Sequence, residues 1–273
     1  MATIARKAIG FSGAELRNLV NEAALLAAKK RLDAISNECI DRATDRIMLG
    51  LEKANPVRSA DARRIVAVHE AGHVVLGIAF AKMMQRRVAR ASIRPRMGGI
   101  GGVTIFDPVA EEADGALPHG LVSKQGCGAA LCVDLGGRVA EELMLKPLQV
   151  SSGASADIRS ATKRAVAMVA DWGLGDSVLS IEALGHCSDA TLRETELAAS
   201  GLLQQALRSA REVLGSPAGS LGLKKVADVL LSTEEADAVV LHDALDVDSL
   251  QALANEQSQA WFNAGAVALT EAA

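Results

Sequence analysis

The chain has 273 residues, 49% of them hydrophobic and 23% charged. That composition excludes a disordered chain and suffices for one large domain or two modest ones. Lysine and arginine number 29 against 33 acidic residues, a net charge of −4, and aromatics are only 2% with no tyrosine; without a positive field or stacking rings, nucleic acid is not an expected partner.

In chain order, Ser12-Gly-Ala-Glu15 is a capping box, and Leu16, Leu19, Val20, Ala23 and Ala27 follow at helical spacing. A second helix is expected over 37–49, with Ile40, Ala43 and Ile47 on one face. Pro56 and the polar residues up to Ser59 read as a linker, which places a domain boundary near 55. A long helix capped by Ser59 runs to about Lys82. Two strand-like runs, 88–94 and 101–106, flank a Gly-rich turn and predict a hairpin. Helix returns over 123–145, interrupted at Gly136-Gly137, and again over 155–172, stopping at Gly173. A long helix over 190–214 ends in the Gly- and Pro-containing stretch 215–222. Ser232-Thr-Glu-Glu235 reads as a second capping box, and the C-terminal stretch after it carries no assignment.

Cys39, Cys127, Cys132 and Cys187 form no C-x-x-C pair, so they read as free, mostly buried thiols of a reducing compartment. The apolar run Val74 to Ala81 is too short to cross a bilayer, and Met1 to Gly10 leads into no signal-peptide core.

His69-Glu-Ala-Gly-His73 matches H-E-x-x-H inside a predicted helix. Spacing of i and i+4 puts both imidazoles on one face, where they can bind one Zn²⁺. Glu70, beside a ligand, points next to the metal and can take a proton from an attacking water and return it to a leaving amine. Gly72 costs about 1 kcal/mol in a helix interior, so something is expected to pack closely there. A catalytic zinc needs a third protein ligand. It does not follow within a dozen residues, and Asp157, Glu141, Glu142, His119, His186 and His242 are all candidates. Asp157, in a predicted first helical turn, would also serve simply to favour the helix dipole.

Gly10-Phe-Ser-Gly-Ala-Glu-Leu16 with Asn21-Glu-Ala-Ala24 resembles the small helical lid of FtsH-type AAA ATPases. His69-Glu-Ala-Gly-His73 resembles that family's zinc motif, and Gly136-Gly-Arg-Val-Ala-Glu-Glu-Leu143 its second peptidase helix. Ser152-Gly-Ala-Ser-Ala-Asp-Ile158, with Ala161-Thr162 and Trp172-Gly-Leu174, resembles the segment carrying its third ligand. The resemblance runs from about residue 5 to about 240. It implies a mainly α fold: a helical zinc metallopeptidase domain with a small β-hairpin or sheet over 56–273, preceded by a helical AAA lid fragment over 1–55. It also implies His69, His73 and Asp157 as zinc ligands, Glu70 as general base, and Glu141 and Glu142 as packing or supporting groups. The implied substrates are unfolded or membrane-protein polypeptides, and the implied assembly is a homo- or hetero-hexamer of an ATP-dependent, membrane-anchored protease.

The sequence departs from that pattern in lacking the P-loop G-x-x-x-x-G-K-[ST], the acidic magnesium partner and the pore loop. ATP is therefore expected to act only through a motor domain absent from this chain, which reads as a fragment, a partial product or one piece of a split protein. Two other readings remain open: a catalytically degenerate scaffold subunit of an FtsH-like hexamer, and a stand-alone ATP-independent peptidase.

Overall fold

The computed structural model describes residues 11–53, 59–97, 101–109, 121–175, 178, 180–184 and 186–270. Their contacts divide into two compact units.

The first unit comprises the described residues up to 53 together with those of 94–103. Helix α1 (Gly13–Lys29) starts at Ser12, whose side chain and that of Glu15 cap each other's backbone as the sequence predicts. Helix α2 (Asn37–Leu49) is capped by Ser36. Leu19, Ala23 and Ala27 of α1 bury against Cys39, Ile40 and Ala43 of α2, a core small enough to be built largely from alanine. Arg96 is buried in this unit, with Asp45 at 3.6 Å and Glu52 at 3.7 Å.

The second unit holds the remaining described residues. Its centre is α3 (Ala60–Ala79), capped by Ser59 and buried on nearly all sides from Ala67 onwards. A helix apolar around its whole circumference has to be enclosed by other elements. After Phe80 a short helix, α4 (Ala81–Met84), ends at Gln85 in the left-handed region. Strands β1 (Arg86–Ser92) and β2 (Val103–Pro108) are neighbours, as expected of the hairpin. Then come α5 (Lys124–Asp134) and α6 (Gly136–Met144), which break at Leu135, and α7 (Ser155–Ala170). A short α8 (Ile181–Leu184) leads to α9 (Asp189–Gly215) and α10 (Pro217–Thr233), joined at Ser216, which caps α10. The mainly helical architecture agrees with the expected fold class.

Three features differ from the sequence reading. The long helix does end at Gly215 as expected, but the rest of that stretch is not a break: Gly219 and Gly222 lie inside α10, where a Cβ on Gly222 would lie 2.6 Å from Leu245 Cδ2. Ser232 is not a cap, because its hydroxyl donates to the Val229 carbonyl and Glu234 takes the left-handed C-cap of α10. A third strand, β3 (Glu235–Asp237), pairs antiparallel with β1, Ala236 opposite Ala91, giving the order β2-β1-β3. The unassigned C-terminal stretch forms α11 (Ala238–Asp243), capped by Asp237, and α12 (Val247–Thr270).

The core joins Val74, Val75 and Leu76 of α3 to Leu131 of α5, Val139 of α6, Met168 of α7, Val213 of α9 and Leu223 of α10. Leu76 has no exposed surface. Leu76→Ala is expected to cost about 2–5 kcal/mol of stability, read from the denaturation midpoint. Cys39, Cys127 and Cys132 are buried and Cys187 partly so, all as free thiols. No helix among the described residues is long and apolar enough to cross a membrane.

Candidate metal centre

His69 and His73 lie one turn apart on α3, and Asp157 sits in the first turn of α7. The two helices bring these side chains together: His69 Nε2 is 3.1 Å from Asp157 Oδ2, His73 Nε2 is 3.7 Å from the same oxygen, and the two Nε2 atoms are 3.2 Å apart. Among the described residues this is the one cluster whose donor atoms could share a metal ion, all within 4.8 Å of one another.

The rings are aimed by what their other nitrogens bind. His73 Nδ1 donates to the Val133 carbonyl at 2.8 Å, and since a carbonyl only accepts, the neutral ring keeps its lone pair on Nε2. His69 Nδ1 is 2.8 Å from Glu141 Oε1, an acceptor that selects the same tautomer. Glu141 is fully buried on α6 and also accepts from the Ser151 backbone N–H and hydroxyl. A metal-binding histidine commonly has its second nitrogen held in this way.

Helix packing makes the arrangement possible. A Cβ on Gly72 would lie 2.3 Å from the Gly136 carbonyl oxygen, so bare backbone lets α3 and α6 touch, the close approach expected at that glycine. A Cβ on Gly137 would sit 2.4 Å from the His69 ring. The Gly136-Gly137 pair thus both breaks the helix and admits the imidazole.

The charges are mutually supporting. Burial works against a charged His69, but the Asp157 and Glu141 carboxylates outweigh it and raise its pKa to about 10. His73 is raised too, again against burial, mainly by Asp157. Asp157 is held well below the usual carboxylate range, since hydrogen bonds to both imidazoles overcome its burial. Burial pushes Glu70 up, and its Oε2 accepts from the Thr104 hydroxyl at 2.8 Å.

The remaining candidates fall elsewhere. Glu142 is engaged by Arg138 and Arg211, and His186 and His242 do not join the cluster. His119 lies outside the described residues. Three participants had no sequence signal: the Val133 carbonyl is backbone, and Ser151 and Thr104 are ordinary residues that only the fold brings close. Adjoining the cluster through Val133 is a cleft of about 150 Å³, partly open to solvent, also lined by Phe106, Leu121, Val122 and Ala130, with the Asp134–Arg164 ion pair at 3.2 Å.

The model of peptidase family M41 matches residues 56–243, and that of the AAA+ lid domain matches residues 1–42. The chain is 35% identical over 258 residues to ATP-dependent zinc metalloprotease FtsH 3 of Synechocystis sp., covering 89% of this chain and 40% of that protein. It is 43% identical over 175 residues to the chloroplastic ATP-dependent zinc metalloprotease FTSH 1 of Oryza sativa, covering 64% and 24% respectively. A match to ATP-dependent zinc metalloprotease FtsH of Photobacterium profundum is 34% identical over 257 residues and covers 89% and 35%. The chain spans less than half the length of these curated relatives. With the helical fold around α3 and a match over most of the chain, the protein belongs to peptidase family M41.

Proposed function

We propose that this chain is the peptidase portion of an FtsH-type zinc metalloendopeptidase, with 1–55 a remnant of an AAA lid and 56–273 the peptidase domain. Its substrates are unfolded or extended polypeptides, membrane proteins among them, and its working assembly is a hexamer. The observation carrying this reading is the convergence of His69, His73 and Asp157 within reach of one ion, with Glu70 beside them.

The donor set fits Zn²⁺: two neutral imidazoles presenting Nε2, one ionised carboxylate and supported second nitrogens. When bound, zinc polarises the scissile carbonyl and makes water acidic enough to attack near neutral pH. Glu70 takes the proton from the attacking water and delivers it to the leaving nitrogen. Its burial favours the protonated form, which suits a group that must give the proton up again. Strand β2, at the end of the order β2-β1-β3, supports docking of an extended substrate by strand addition. The cleft beside the cluster suits an apolar side chain next to the scissile bond.

The test is zinc content and casein hydrolysis by the purified chain, with Glu70→Gln as control. Zinc near one per chain, hydrolysis, and a loss of about 100-fold or more in the Gln variant with zinc retained are expected. A folded chain without zinc affinity rejects the reading, and zinc without hydrolysis favours a scaffold subunit. The sequence contains no P-loop, so ATP is not expected to alter hydrolysis by the isolated chain.

Two further outcomes follow. Glu141→Gln is expected to weaken zinc binding about 10- to 100-fold by releasing His69, measured by competition with a chelating dye. With the His69 pKa at about 10 in the metal-free chain, zinc has to displace a proton across the neutral range. Affinity is therefore expected to rise with pH, by roughly tenfold per unit from pH 6 to 9, with proton release visible by calorimetry in different buffers.

A further inference from the structure

We infer that Thr104 is a positioning residue for the Glu70 carboxylate, set in register by Phe106 lying across Gly77. The inference rests on the reading of Glu70 as the proton carrier. Glu70 is 5% exposed, and its Oε2 accepts from the Thr104 hydroxyl at 2.8 Å. The terminal torsion of a glutamate is broad and nearly two-fold, so a carboxylate on a helix does not hold one orientation unaided. A β-branched threonine is stiff at its first torsion, which makes its hydroxyl a fixed anchor. With Oε2 engaged, Oε1 is left to accept the proton, and the hydroxyl can go on donating to Oε2 while Oε1 carries it.

What brings the hydroxyl there is a two-point match between strand and helix. Thr104 and Phe106 are two apart on β2 and share one face of the strand. Glu70 and Gly77 are seven apart on α3, two turns along the same stripe. At Gly77 a Cβ would lie 2.6 Å from Phe106 Cε1 and 2.8 Å from Val88 Cγ2, so the ring rests on bare helix backbone. The second contact stops β2 from sliding along α3, and a slip of one residue would turn Thr104 to the opposite face.

The experiment uses the full chain loaded with zinc, comparing wild type with Thr104→Val, Thr104→Ser and Glu70→Gln on labelled casein. Thr104→Val is expected to lower kcat about 10- to 100-fold, the loss of one hydrogen bond to a charged group, with KM, zinc content and melting temperature unchanged. Thr104→Ser is expected to restore most of kcat. A Thr104→Val variant with wild-type kcat, or one whose loss lies in KM, zinc content or folding, overturns the positioning role and leaves Glu70 as base. Hydrolysis by Glu70→Gln, or no hydrolysis by the zinc-loaded wild type, overturns the reading of Glu70 and this inference with it.

Discussion

Replacing Asp157 with alanine is expected to lower zinc affinity by more than about 100-fold, beyond the loss seen when a supporting partner of a ligand is removed. Casein hydrolysis falls to background with it. Asp157 supplies the one carboxylate oxygen near both Nε2 atoms, at 3.1 Å and 3.7 Å. It is also the strongest influence holding the His69 and His73 pKa values up against burial. Its removal thus lowers both values in the metal-free chain. Two neutral imidazoles then remain, which can still hold a metal weakly but leave its charge uncompensated. Asp157→Asn separates shape from charge, keeping the side chain's size and losing the anion. Zinc measured in the dialysed variants decides the matter. Full retention by both would move the third ligand to another residue, with His119 the untested candidate.

The second large effect concerns glycines, and the structure separates two outcomes. In Gly137→Ala the new methyl group meets the His69 ring at 2.4 Å. That ring can make room only by giving up the Glu141 contact at its Nδ1, since Glu141 is itself fixed by Ser151. The ring is displaced, so zinc binding and hydrolysis are expected to fall steeply while the rest of the fold persists. In Gly72→Ala the methyl group meets the Gly136 carbonyl oxygen at 2.3 Å, which is backbone. The helices themselves have to part, at a cost of about 1–3 kcal/mol or more, and stability and zinc binding fall together. Melting temperature and zinc content of the two variants separate the cases. Equal loss of stability in both would contradict the distinction.

The legible part of this protein was local. Ser12 and Glu15, Ser59 and the Gly136-Gly137 break state their roles through neighbours a few residues away, and the helices they delimit appear near their expected places. The histidine pair was legible for the same reason, since one helical turn suffices to put both rings on one face. Elements relying on distant partners were not legible. Strand β3 is Glu-Ala-Asp, with no strand propensity, and exists because β1 offers it an edge. The glycines of α10 read as breakers, yet they sit inside a helix, where a Cβ would crowd the Leu214 backbone at Gly219 and the Leu245 side chain at Gly222.

By itself, then, the sequence determined the helical class, the H-E-x-x-H helix and the demand for a close neighbour at Gly72. A periodic pattern and a glycine cost are both properties of a single segment. The resemblance pointed to Asp157 as the third ligand, but only the tertiary structure shows that, of the candidates it describes, Asp157 lies with the two imidazoles, how Glu141, Ser151 and Val133 aim them, and that Thr104 reaches Glu70. Apart from Ser151, 10 positions from Glu141, those contacts join residues 34 to 88 positions apart, and they arise from how closely packed helices and one strand cross, which short-range spacing does not encode.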